Sequence, residues 1–286
     1  MKRIILAGIL VWIAGAPALL AQGNAGQGKG NTKGAPAAKG PAPKSKGELD
    51  AYNALATAQQ QNNPDAVITA AENLITKYAD TDFKDIALFM EAMAYQAKGD
   101  REKMQINLER TLAANPKYFQ ASLMLAESTI QSTREHDLDR DDKLAKAEKY
   151  ANDAIANIAA AQKPNPALTD QQWEDAKKDL TAQAHDALGM SALQKKNYDQ
   201  AITELKTAVD GAAHPEPAFE VRLASAYQQA GKNDEAITIA QKVMDEPQTP
   251  QQIKSVAQSI RAAATVAKNG SKPASAPPPQ VEIKKQ

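Results

Sequence analysis

The sequence predicts an all-α protein, a row of antiparallel helix pairs with about eleven helices. Two observations lead there. Apolar residues recur at helical spacing along almost the whole stretch from Glu48 to Lys268, and short turn pieces such as Asn62-Asn-Pro64, Gly99-Asp100 and Lys195-Lys-Asn197 interrupt them. One helix–turn–helix unit also returns: Ala187–Ala208 is echoed by Leu223–Ala240. In both, small residues stand where two helices must approach closely and larger ones fill the space around them.

The helices follow in order. Glu48 opens the first, to about Gln61, and Pro64 is tolerated because it begins the second, Asp65–Tyr78, which is expected to bury Ala66, Ile68, Leu74 and Ile75. Asp85–Lys98 carries Leu88, Ala92 and Tyr95, and Arg101–Ala114 carries Leu108 before Asn115-Pro116, where the proline ends the pair. The flexible Met104 thioether suits a slightly wider pair. Phe119–Thr133 precedes the acidic run Arg134–Asp142, after which Lys143–Ala160 restores the pattern with Ala147, Ala151 and Ala154. Lys163-Pro-Asn-Pro166 is a rigid break. Thr169-Asp-Gln-Gln172 then has the form of a capping box and opens a helix expected to run unbroken to Gln194, with Trp173, Ala176, Leu180, Ala184, Ala187 and Leu188 as its apolar stripe. Two more helices form the fifth pair. Pro250–Lys268, with Ile253, Val256, Ile260 and Ala264, reads as a terminal cap ended by Asn269-Gly270.

Ala187–Ala208, with Gly189, Ala201 and Ala208 as its small residues and Leu188, Tyr198 and Leu205 as its large ones, resembles a tetratricopeptide repeat, as does Leu223–Ala240. The resemblance, to an exported bacterial type, implies a right-handed superhelical solenoid of five repeats, at about 48–79, 85–116, 119–160, 170–213 and 217–247, with a cap helix at 250–268. With Ala66, Met104, Ala147, Ala201 and Ala236 as close-packing anchors, the intervals are 38, 43, 54 and 35. The longer ones place insertions in connections, chiefly the acidic loop 134–142 and the stretch 161–182. Lys77–Phe83 also resembles segments of tetratricopeptide lipoproteins of outer-membrane assembly, but the lipid-bearing cysteine is missing.

The ends read differently. Met1-Lys-Arg, the apolar run Ile4–Ala16 and the small residues up to Ala21 have the form of a secretory signal peptide, cleaved after Ala21 or alternatively Ala18 or Gly23. An uncleaved anchor is the rival, though Ile4–Ala21 is only 18 residues long and contains Pro17. Residues 22–47, rich in Gly, Ala, Pro and Lys, read as a disordered linker, and 271–286, with Pro277-Pro-Pro279, as a disordered tail. The expected location is therefore the periplasm or the medium. With no cysteine in the chain, lipoprotein anchoring, disulfides and thiolate zinc sites are excluded. The formal net charge is zero, but Glu48–Gly270 holds 24 basic against 33 acidic residues, a balance that argues against nucleic acid as partner.

Catalysis finds no support in the sequence. His136, His185 and His214 have no repeated spacing, and there is no phosphate loop, nucleophile elbow or His-Glu-x-x-His helix. No cofactor is expected. Asp137, Asp139, Asp141 and Glu148 have the spacing of an EF-hand loop, but Asp142 stands where that loop needs Gly. The competing reading is an acidic turn whose Asp141 or Asp142 caps the next helix and complements its dipole.

The family resemblance further implies that the first helix of each repeat lines a concave groove that holds a partner segment. Carried over residue by residue, the groove positions are Phe89, Met93 and Gln96; Leu123, Glu127 and Gln131; Asp186, Met190 and Gln194; and Val221, Ser225 and Gln228. Any of these could equally belong to the core between repeats. The expected function is a non-enzymatic scaffold binding a protein or peptide of unspecified identity. The alternative is a small-molecule or metal-responsive protein using the acidic loop and the 161–182 insertion.

Overall fold

The structure, a computed structural model, describes residues 41–270. The expected signal peptide, most of the expected linker and the tail from Ser271 lie outside the described residues. Among these residues are eleven α-helices, packed in consecutive pairs. Contacts divide them into two compact units.

The first unit runs to Ala121 and includes Gln162–Leu168. It contains α1 (Lys46–Gln60), α2 (Pro64–Lys77), α3 (Lys84–Ala97) and α4 (Arg101–Ala114). Helix α1 begins at Lys46 rather than Glu48, because Ser45 caps it and accepts the Glu48 amide at 3.1 Å. Glu48 is 1% exposed, and its carboxylate accepts from Thr81 Oγ1 and the Lys44 amide, both at 2.6 Å. Lys44 reaches Asp80 and Asp82, so the last residues of the expected linker are bound to this unit. The core joins Tyr52 and Leu55 of α1 to Val67, Ala71 and Leu74 of α2 and to Phe83, Ala87 and Met90; Tyr52 and Phe83 stack at 4.2 Å. Ala66, Ile68 and Ile75, expected as the buried face of α2, are only partly buried beside it. Asn63 caps α2 by accepting the Ala66 amide, with Pro64 at the first helical position, and this turns Val67, Ala71 and Leu74 inward.

Counting from the caps aligns the second helices of four pairs. The fourth helical residue is Val67, Met104, Ala201 or Ala236, the eighth Ala71, Leu108, Leu205 or Ala240, and the eleventh Leu74, Thr111, Ala208 or Val243. All twelve are buried. Val67, not Ala66, is therefore the anchor of the first pair.

The second unit comprises Ser122–Ala161 and the chain from Thr169. It holds most of α5 (Phe119–Ser132), then α6 (Arg140–Ala160), α7 (Asp170–Gln194), α8 (Tyr198–Gly211), α9 (Pro217–Gln229), α10 (Asn233–Asp245) and α11 (Gln251–Lys268). Helix α6 starts at Arg140, about a turn before the expected Lys143, with Asp141 and Asp142 in its first turn. There they complement the helix dipole, while the cap residue is Asp139, which makes no side-chain capping bond. The capping box of α7 forms in both directions: Thr169 Oγ1 accepts the Gln172 amide at 3.1 Å, and Gln172 accepts the Thr169 amide at 2.9 Å. The helix runs 25 residues without a break.

Small residues set the spacing in this unit. Ala126, Ala147, Ala151 and Ala187 pack with Leu144 and Leu188, and Ala201, Leu205, Leu223 and Ala226 form the next cluster. Val221, Ala224, Ala236 and Ala240 then meet Ile253, Ala257, Ile260 and Ala264 of α11. Surface ion pairs repeat with the fold. Lys98–Asp65 in the first unit, and Lys232–Asp199 and Lys268–Asp234 in the second, each tie the end of a first helix to the start of the preceding second helix.

Candidate partner-binding faces

In the first unit the expected groove positions share one stripe of α3 at helical spacing. Phe89 is buried at 3% exposure with its ring 4.8 Å from that of Tyr118, so it is core rather than binding surface. Met93 is half-buried and Gln96 exposed. Deeper in the same helix, Glu91 is 2% exposed. Asn107 Nδ2 donates to its Oε1 at 3.2 Å, Arg110 in turn donates to Asn107 Oδ1 at 2.6 Å, and Oε2 is buried without a partner. Burial pushes the Glu91 carboxyl above its usual range, helped by the charge of Glu72 and opposed by Arg110 and the Asn107 hydrogen bond.

In the second unit four more of the expected positions are buried. Leu123 and Val221 are 8% and 0% exposed, which makes them packing residues of α5 and α9. Ser225 is 7% exposed and accepts from Gln229 at 3.1 Å. Asp186 is 5% exposed and pairs with Arg222, itself 8% exposed, at 2.5 Å. Burial opposes the charge on the Arg222 guanidinium, but Asp186 outweighs it, with Glu127 and Glu216 adding, and the group is held above its ordinary range. Gln194 is half-buried and tied down, its side chain donating to the Ile130 carbonyl at 2.8 Å and its own carbonyl accepting from Arg140. Glu127, Met190 and Gln228 are half-buried, and Gln131 is exposed with its amide 3.2 Å from Glu127. Of the twelve positions, Phe89, Leu123, Asp186, Val221 and Ser225 thus face inward.

Arg222 is the residue that sequence reasoning missed. It lies 36 residues after Asp186, one repeat on, and a basic residue at that distance from an acidic one was the available signal. The neighbouring histidines also pair one element away. His185 Nδ1 is 2.7 Å from Glu204 on α8, and His214 binds Asp179 of α7 through its backbone amide at 2.9 Å and its ring at 2.8 Å.

The calcium-loop spacing is not realised in space. Asp137 and Asp139 both bind Lys143, at 3.0 and 2.9 Å. Glu148 faces α7, accepting from Ser191 Oγ at 2.7 Å and pairing with Lys195 at 2.8 Å. Among the described residues no cluster of His, Asp and Glu has the geometry of a metal site, and no helix is long and apolar enough to cross a membrane.

Residues 192–260 match the tetratricopeptide repeat family model. That segment covers α8, α9 and α10 in full, with the end of α7 and the start of α11. Among solved structures, a thermophilic tetratricopeptide protein of Thermus thermophilus is similar at 20% identity and a TM-score of 0.49, over 74% of this chain and 98% of that one. The assembly chaperone of RpL4 (Acl4), residues 1–338, is similar at 10% identity and a TM-score of 0.39, over 78% of this chain and 98% of that one. No curated protein matches the sequence.

Proposed function

We propose that the protein is a non-enzymatic interaction scaffold that holds a segment of a protein partner against the accessible faces of its first helices, outside the cytoplasm. The observation that carries this reading is what those helices leave open. Met93 and Gln96 in the first unit, and Met190, Gln131 and Gln228 in the second, combine adaptable thioethers with amides. The tetratricopeptide match supports a protein partner, and the form of residues 1–21 supports export.

The test is quantitative affinity capture from envelope extract with the mature chain and with Met93→Glu/Met190→Glu. Both methionines are only half-buried, so the double variant should keep its helical circular dichroism and lose specific partners. An unchanged set of captured proteins refutes the binding faces. The mass of the mature chain tests export separately, with Gln22 expected at its N-terminus.

A further inference from the structure

Helices α10 and α11 enclose a groove of about 840 Å³, with Ile237, Thr238 and Gln241 on one wall and Arg261, Ala262 and Val266 on the other. Counted from the helix caps, Ile237 occupies the place that Ile202 holds one repeat earlier. Ile202 is 8% exposed, packed with Leu223 and Ala226 of α9 and with Ile239 of α10. Ile237 is only half-buried, and Val266 is 39% exposed. A face that the next pair covers within the unit is thus left open between its last two helices.

Charge divides the two walls. The charged residues of α11 are Lys254, Arg261 and Lys268, all basic. Their spacing of seven is close to two helical turns, so they share the stripe on which Arg261 lines the groove. On α10 the stripe through Thr238 and Gln241 begins at Asp234 and ends at Asp245, four residues to either side. One wall is therefore basic, and the other is acidic at both ends. Lys268 pairs with Asp234 and Arg261 donates to Gln241, so the helices run antiparallel with these residues level. Gln241 in turn donates to Asp245 at 2.7 Å, which leaves a neutral amide between the Arg261 cation and that carboxylate. Such a face is complementary to itself. Rotation about a two-fold axis along the groove lays α10 of a second copy over α11 of the first, and the reverse, with all levels kept. Asp245 of the facing copy then stands about 6 Å beyond Arg261 and about 4.5 Å short of Lys254 along the helix, within reach of both side chains. An axis across the groove would set acid against acid. Ile237 and Val266 lie between the charged stripes, an apolar centre with a polar rim.

We propose that the α10–α11 face binds the same face of a second copy, in an isologous dimer whose two-fold axis runs along the groove. Two helices side by side, about 23 Å long and about 20 Å across, offer roughly 450 Å² from each copy. The total of about 900 Å² is that of a transient interface. The dimer should therefore be weak, with a Kd of about 10–100 μM, and weaker in high salt. Sedimentation velocity of the mature chain from about 1 μM to about 1 mM should show dimer growing with concentration. Arg261→Glu and Asp245→Lys should each weaken association at least about tenfold. Mixed together, the two variants should form a heterodimer within about threefold of the parent's affinity, because each supplies the charge that the other's facing wall now needs. A substitution that only disturbed folding would not be rescued by mixing. A parent that stays monomeric up to about 1 mM overturns the proposal. So do single variants that dimerise as the parent does, or a mixture that stays monomeric.

Discussion

Gly189 offers the sharpest test of how the second unit packs. A Cβ built there would lie 2.5 Å from Leu205 Cγ, 2.8 Å from its Cδ2 and 3.3 Å from its Cδ1. Carbon atoms pack at about 3.5–4.0 Å, so α7 and α8 would have to part or Leu205 leave its rotamer. Leu205 is fully buried, and the near atom is its branch point rather than a flexible tip. Overpacking of this kind costs about 1–3 kcal/mol, against a gain of about 1 kcal/mol from replacing Gly by Ala inside a helix. Gly189→Ala should therefore lose up to about 2 kcal/mol, a fall of roughly 2–4 °C in Tm per kcal/mol for a unit of this size. Gly211, at the end of α8, is the internal control, because a Cβ there meets nothing within 4 Å. Gly211→Ala should be neutral or stabilise by up to about 1 kcal/mol. The assay is urea unfolding followed by circular dichroism, with hydrogen exchange of α7 and α8 to localise the effect. Leu205→Ala alone should cost about 2–5 kcal/mol, and combined with Gly189→Ala less than the sum of the two. If Gly189→Ala raises the unfolding midpoint as Gly211→Ala does, the close approach of α7 and α8 is wrong.

Three other expectations concern charge. Asp186→Ala should destabilise the second unit by about 3–5 kcal/mol by leaving the Arg222 cation buried and uncompensated, whereas Asp186→Leu/Arg222→Met should be far milder; urea unfolding of the three proteins decides it. Burial raises the Glu91 carboxyl in the folded state, so Glu91 favours folding most below its unfolded pKa of 4.5, and that contribution is lost as pH rises through the folded value. Glu91→Gln should accordingly raise Tm relative to the parent at pH 7 and show less advantage at pH 4. His214 is raised by its hydrogen bond to Asp179 and by that carboxylate's charge. It should titrate in NMR spectra above 6.5, and Asp179→Asn should bring it down; its small contribution to stability is present below pH 6.5 and fades as pH passes the folded value.

The helices were legible because their signals are local. The Thr169–Gln172 capping box and the apolar stripe of α7 could be read directly, and both appear in the structure. Register was less legible. Ala66 fits the family pattern as well as Val67 does, and only the Asn63 cap with Pro64 settles which one turns inward. The start of α1 was missed for a similar reason: Ser45 and Glu48 carry a capping signal, but the surrounding Lys and Gly have the composition of a linker. The proposed binding faces were the least legible, because a stripe of first-helix residues is half core. Nothing local distinguishes the buried Phe89 from the half-buried Met93 until Tyr118, 29 residues after Phe89, is seen packed on its ring.

Asp186 shows why that ambiguity matters. Its helix buries Ala182, Ala184, Ala187, Gly189 and Ala192 together with Trp173, Leu180 and Leu188. Three polar ties add to the register that this packing sets. Asp179 holds the connection after α8, His185 holds Glu204 within α8, and Asp186 holds Arg222 of α9. Asp179 lies almost two turns before the adjacent His185 and Asp186, and a slip by one turn would break all three ties while leaving a buried carboxylate and a buried guanidinium apart. Such pairs add little when formed and cost heavily when broken, which suits them to fixing register rather than to supplying stability. The acidic residue that looks from sequence like a contact for a partner instead determines where the neighbouring faces, with Met190 and Gln228, stand relative to each other.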